Sequence, residues 1–128
     1  MKNQSSKIKI SEQAFSTCVE DLLKLYQWRW YHARPARIKV KGGETYRTPM
    51  SGHKGLPDYI AVRPPRLLFI ELKDQYAKPS PEQEEWLEDL KQCHIFVDSN
   101  KSGDAIFMPE VYLFRPNQLE TEIMDILK

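Results

Sequence analysis

The sequence predicts a mixed α/β domain, with helices packed against one β-sheet. Two observations carry this expectation. Apolar residues recur at helical spacing in three segments and alternate between turn residues in shorter ones, in the order helix, strand, basic hairpin, two strands, helix, two strands, helix. A chain of 128 residues with 41% hydrophobic and 29% charged residues suits one compact core, without disulfide staples and without disorder as a whole-chain description. No internal repeat or domain linker interrupts the order.

Residues 1–10 read as a polar tail and 11–128 as the domain. Ser11 is a helix N-cap, and Ala14/Phe15, Cys18/Val19, Leu22/Leu23 and Tyr26 form the apolar stripe behind it. Glu12 lies on the flank of that stripe and leans toward the core, Asp21 points to solvent, and Cys18 reads as inert packing. Trp28 to Ala33 alternates as a strand ended before Pro35. Arg37 to Arg47, with Gly42-Gly43 at its centre, is a basic hairpin. Strands follow over Asp58 to Val62 and Leu67 to Lys73. Proline cannot supply the positive φ of a primed two-residue turn, so Arg63-Pro64-Pro65-Arg66 is expected as a four-residue loop. Ser80-Pro81 opens a helix with Trp86, Leu87 and Leu90 on one face. His94 to Val97 is a short strand, Asp98 to Glu110 a loop and Val111 to Arg115 a strand. Asn117 caps a last helix carrying Leu119, Ile123, Ile126 and Leu127.

Charge is segregated. Arg29 to Lys54 holds seven basic residues (Arg29, Arg34, Arg37, Lys39, Lys41, Arg47 and Lys54) against one acid, Glu44, which leaves twelve basic against seventeen acidic elsewhere. A charge run alone is a solvated loop. This one also carries Trp28, Trp30, Tyr31, His32, Tyr46 and His53, side chains suited to sugar–phosphate and base contacts, which favours a polyanion partner. The candidate nucleic-acid contacts are His32, Arg34, Arg37, Lys39, Lys41, Arg47, His53 and Lys54. No apolar run approaches the ~18 residues of a membrane span, and the start of the chain has no signal-peptide core. Cys18 and Cys93 are too few and too far apart for a disulfide framework or a zinc knuckle. A cytoplasmic protein is therefore expected, with no membrane partner and no organic cofactor.

The chemistry lies in Gly55-Leu56-Pro57-Asp58 and Phe69-Ile70-Glu71-Leu72-Lys73. Pairing across a loop centred on Pro64-Pro65 sets Asp58 opposite Glu71, with Cβ atoms ~5 Å apart on one face of the sheet, and Lys73 shares that face. A one-residue slip would break the arrangement. Like charges this close repel unless a cation sits between them, and a pair of carboxylates suits Mg²⁺, with Mn²⁺ able to substitute. The Leu72 carbonyl is a third candidate ligand, and Lys73 could orient or deprotonate the attacking water. The bland reading makes Glu71–Lys73 a surface salt bridge and Asp58 a turn residue. Glu12 is either a first-turn acid favoured by the helix dipole or a ligand of a metal or water. Ser80-Pro81-Glu82-Gln83 is a capping box, so Gln83 either caps the helix or faces the site, and full satisfaction of both is not expected. Trp30 and Trp86 read as core.

At these residues the sequence resembles the PD-(D/E)XK nucleases, with Pro57-Asp58, Glu71-Leu72-Lys73 and the upstream helical Glu12. More narrowly it resembles the VRR-NUC group, through Ser11-Glu12-Gln13-Ala14-Phe15, Trp28-Arg29-Trp30-Tyr31-His32, Gly55-Leu56-Pro57-Asp58, Arg66 through Lys73, Ser80 through Leu87 and Phe114-Arg115-Pro116, most of the chain in the right order. The resemblance implies a restriction-endonuclease-like fold and Mg²⁺-dependent hydrolysis of DNA phosphodiesters that leaves a 5′-phosphate. It implies Asp58 and Glu71 as metal ligands, Lys73 as catalytic, and Glu12 and Gln83 in support. Single-domain members, common in phages, look like homodimeric four-way-junction resolvases, which makes a phage or bacterial source the expectation. A nuclease of flaps or duplex DNA within a repair machine, and a non-catalytic DNA-binding module, are the rival readings. The basic insertion at 37–54 and the loop at 98–110 depart from the family pattern and bear on substrate choice.

Overall fold

The computed structural model describes residues 10–33, 36–47, 51–97 and 105–128, the side chains of 36–40, 44–47, 95–97 and 105–106 excepted. The chain is a mixed α/β domain. Its frame is a four-stranded sheet in the order β1-β4-β5-β8, from β1 (Arg29–His32), β4 (Tyr59–Arg63), β5 (Arg66–Leu72) and β8 (Glu110–Phe114). The first three strands are antiparallel neighbours, and β8 runs parallel to β5. A parallel neighbour needs a crossover, and α2 (Pro81–Lys91) lies within it and packs on β8.

Helix α1 (Glu12–Leu25) starts where Ser11 Oγ accepts the Ala14 N–H (3.1 Å) and buries Phe15, Val19 and Leu23. These meet Tyr59 and Ala61 of β4, Leu68 and Ile70 of β5, Phe114 of β8, Trp28, Ile123 and Leu127 in one core. Among the described residues, no helix is long and apolar enough to cross a membrane.

Five expectations change here. The buried face of α1 runs along Phe15, Val19 and Leu23 toward Glu20, so Cys18 is exposed rather than packed. Arg63 pairs with Arg66, so the loop is a two-residue turn; its Pro64–Pro65 peptide is cis, a geometry that needs no positive φ. The sheet is not single: β2 (Ala36–Val40) pairs with β3 (Gly43–Arg47), and β6 (Ile95–Val97) with β7 (Ala105–Phe107), as separate two-stranded sheets. Part of the expected loop at 98–110 is therefore strand, and 98–104 lie outside the described residues. Finally, Asn117 caps nothing: Pro116–Gln118 is a 3₁₀ turn with the Gln118 side chain accepting the Arg115 N–H (2.8 Å), and a π-helical Leu119–Ile123 leads into α3 (Met124–Leu127).

Trp28 also belongs to the core, not to a nucleic-acid surface. It is 5% exposed, its Nε1–H donates to Leu127 O (2.8 Å), and the Arg63 guanidinium lies 4.4 Å from its ring centroid. Arg63 in turn donates to Tyr26 O (2.9 Å), tying the end of α1 to β4.

Candidate active site

The paired register of β4 and β5 runs from Arg63↔Arg66 to Tyr59↔Ile70, and its next step sets Asp58 opposite Glu71, as the sequence predicts. The Asp58 side chain closes this end of the ladder: its Oδ2 accepts the Leu72 N–H at 2.7 Å. Continuing the register places Pro57 opposite Leu72, and proline has no N–H to offer a facing carbonyl. Pro57-Asp58 thus ends one strand, orients a carboxylate and withholds the ladder donor that would occupy the Leu72 carbonyl.

Glu71 is 1% exposed. Its Oε1 accepts from Gln83 Nε2 (3.1 Å) and lies 3.9 Å from Lys73 Nζ, while its Oε2 is buried with no hydrogen-bond partner among the described residues. Burial, reinforced by the charge of Asp58, pushes the Glu71 carboxyl up to about 8, and Lys73 offsets this only partly. A salt bridge on a strand surface would leave the carboxylate hydrated, so the bland reading of Glu71–Lys73 does not describe this group.

Gln83 serves both roles that the sequence set in competition. Its Oε1 accepts the Ser80 N–H (2.9 Å) in the capping box while its Nε2 donates to Glu71, because an amide has an acceptor end and a donor end. The loop before Asp58 is latched to the same helix. Trp86 Nε1–H donates to Lys54 O (3.0 Å), so this tryptophan is a half-buried latch rather than core, and Lys54 Nζ lies 3.5 Å from Glu82. Gly55, at φ +103, packs against the Glu82–Gln83 peptide so closely that a Cβ would stand 2.7 Å from the Glu82 carbonyl carbon. Gly55→Ala is expected to cost about 1–3 kcal/mol by forcing the loop before Asp58 away from α2, read by thermal unfolding.

Asp58, Glu71, Lys73 and Gln83 line an open cavity of about 580 Å³ with Glu12, Phe15, Ser16, His32, Leu72 and Asp74. Glu12 sits on its wall, exposed, and does not complete a cluster: among the described residues, no group of three or more His, Cys, Asp or Glu is placed to hold a metal. The groups that could hold a dication are Asp58, Glu71 and the Leu72 carbonyl. A hard ion such as Mg²⁺ commonly uses one or two carboxylates and keeps waters, and the unpartnered Glu71 Oε2 beside Asp58 is an acceptor site of that kind.

A polar network next to the cavity escaped the sequence reading. Tyr59 OH donates to Glu20 Oε2 (2.5 Å) and shares a hydrogen bond with Ser16 Oγ (3.0 Å). His32 Nδ1 lies 3.5 Å from Glu20, and its ring lies 4.2 Å from that of Tyr59. Burial and the bond to Glu20 raise the Tyr59 hydroxyl above its usual range, so it stays a donor. The available signal was that Glu20 lies one helical turn beyond Ser16 and beside Val19, on the face turned to the sheet.

The basic arm is described only in part. Arg34 lies outside the described residues; Arg37 and Lys39 occupy alternate positions of β2, opposite Tyr46 and Glu44, and Arg47 lies opposite Ala36. Lys41, His53 and Lys54 are exposed, as is Tyr31 (65%), whereas Trp30 packs partly against the core. Comparison with models of protein families, with curated proteins and with solved structures found no match to this chain.

Proposed function

We propose that the protein is a Mg²⁺-dependent endodeoxyribonuclease acting on branched DNA, in the manner of a junction resolvase. One observation carries the reading: a buried carboxylate with an unpartnered oxygen, beside a second carboxylate and an amine, on the wall of an open cavity. In a protein that only bound DNA, Glu71 would be an uncompensated loss, since a Gln or Leu would fill the position without a buried acid.

A dication held by Asp58, Glu71 and the Leu72 carbonyl would supply positive charge to the phosphate and a more acidic water. The chain's own groups do the rest. The Leu72 N–H fixes the Asp58 carboxylate, and Gln83 fixes Glu71 from the far side. Lys73 Nζ, partly exposed beside Glu71, orients the attacking water and offsets charge gathering on the phosphate as the P–O3′ bond breaks. A 5′-phosphate product is the outcome in this reading.

The test is Mg²⁺-dependent cutting of a four-way junction, a flap and a plain duplex, with light scattering to give the assembly state. Paired nicks by a homodimer support junction resolution. A monomer that cuts flaps moves the substrate to the rival nuclease reading, and salt-sensitive binding with no cutting under any metal removes the enzyme reading.

The arm has its own prediction. Replacing Arg37, Lys39 and Lys41 by Ala is expected to weaken DNA binding and to reduce the slope of log K against log salt by up to about three, near one per lost phosphate contact. A slope equal to that of the unmodified protein returns the hairpin to a solvated loop.

A further inference from the structure

Past Lys73 the chain makes a four-residue turn, Asp74 to Ala77, closed by Ala77 N–H donating to Asp74 O (3.2 Å). The turn is held from outside at Asp74, Gln75 and Ala77. Arg115 Nη1 donates to both Asp74 O (2.6 Å) and Ala77 O (2.7 Å), and Asn117 N–H donates to Gln75 Oε1 (3.1 Å). Bonds from a guanidinium are among the stronger ones a loop can receive. Asp74 lines the cavity. Between Gln75 and Ala77, Tyr76 is 77% exposed, more than any other large exposed apolar side chain among the described residues. A single exposed ring is ordinary. A ring carried by a turn pinned at Asp74, Gln75 and Ala77, next to a cavity lined by Asp58, Glu71 and Lys73, is a mounted one.

We propose that Tyr76 is a stacking platform for a nucleobase of the strand whose phosphate enters the Asp58–Glu71 cavity, so that the site favours DNA with unpaired bases beside the cut. This deepens the nuclease reading and rests on it. In an intact duplex each base face is covered by its neighbours, and a ring beside the phosphate finds nothing to stack on. At a branch or in a single strand a splayed base offers a face, and an aromatic side chain accepts any of the four bases. The pinned turn fixes the backbone that carries the ring, so the loop itself loses little freedom on contact.

The experiment uses the full chain carrying Glu71→Gln, so that DNA is bound without being cut, and single-stranded and junction oligonucleotides containing 2-aminopurine, whose fluorescence falls on stacking. The parent protein should quench the probe. Tyr76→Ala should lose the quench and weaken binding to both DNAs by roughly 5- to 150-fold, the equivalent of one base–aromatic stack, and Tyr76→Phe should restore both. Arg115→Ala should give a partial loss that does not add to that of Tyr76→Ala, because it acts through the same ring. Equal quenching and affinity in Tyr76→Ala overturn the proposal, and so does a loss of the same size on plain duplex. Cleavage that persists in Glu71→Ala strikes the nuclease reading instead, and leaves the fluorescence result standing.

Discussion

Replacing Glu71 by Ala is expected to reduce DNA cleavage by roughly 10³-fold or more while DNA affinity stays within a few-fold of the unmodified protein. The two quantities separate because they draw on different groups. In the proposed reading, affinity for DNA would come largely from phosphate contacts by cations such as those of the hairpin, whereas cutting would need the oxygen donors of Asp58 and Glu71 beside Lys73. The variant would remove a proposed metal donor and leave Gln83 Nε2 and the Asp58 carboxylate without their neighbour, although the capping bond from Ser80 to Gln83 Oε1 persists and keeps α2 in place. Lys73→Ala should lose about 10²–10³-fold, since it removes one positioned donor rather than the metal site. Steady-state cutting of a junction substrate, with gel-shift affinities measured on the same DNA, reads both numbers. Wild-type cutting by either variant would remove the site assignment.

The second large effect is on stability without metal. In the folded chain burial pushes the Glu71 carboxyl up to about 8, against an unfolded value near that of an ordinary glutamate. A raised folded value means that the native state holds the proton more tightly, so this group's stabilisation is complete below the unfolded value. It is lost as pH rises through the interval up to about 8. Urea unfolding in EDTA should therefore show stability falling between pH 5 and pH 8.5, by on the order of 4 kcal/mol as an upper bound. Glu71→Gln, which cannot ionise, should flatten the profile and be more stable than the parent at pH 8.5, a gain of stability at the expense of function. Added Mg²⁺ should flatten it as well, because a bound cation replaces the proton and stabilises the native state by mass action. A parent protein whose stability is level across this range would mean that Glu71 is not buried as described.

The substrate inference and the arm connect these results. Arg37, Lys39 and Lys41 would supply affinity with no regard to base, and Tyr76 would add a term that depends on whether a base is free to stack. The preference for branched DNA would then arise beside the cavity rather than in the basic segment.

Much of the frame is legible in residue order because it is local. Ser11 and Ser80 start their helices through bonds to residues three positions on, and hydrophobic alternation with a turn at Pro64-Pro65 leaves one register in which Tyr59, Ala61, Leu68 and Ile70 all face the core. Asp58 beside Glu71 follows from that register alone. The turn at Pro64-Pro65 is shorter than the sequence predicts, but a turn centred on the same two prolines keeps the same pairing.

The rest depends on distant contacts. Cys18 and Glu20 both border the apolar stripe of α1, and only the packing of that helix on the sheet exposes the first and buries the second against Tyr59. Trp86 reads as core from its spacing, yet its partner is the backbone of Lys54, thirty-two positions away. The sequence by itself determined which acids share a sheet face, because strand pairing repeats every two residues and tolerates no slip. The tertiary structure alone decided that Glu71 is stripped of water, that one amide can serve helix and carboxylate together, and that Arg115 reaches the turn carrying Tyr76. Burial and reach are sums over elements far apart in the chain, and local periodicity carries no record of them.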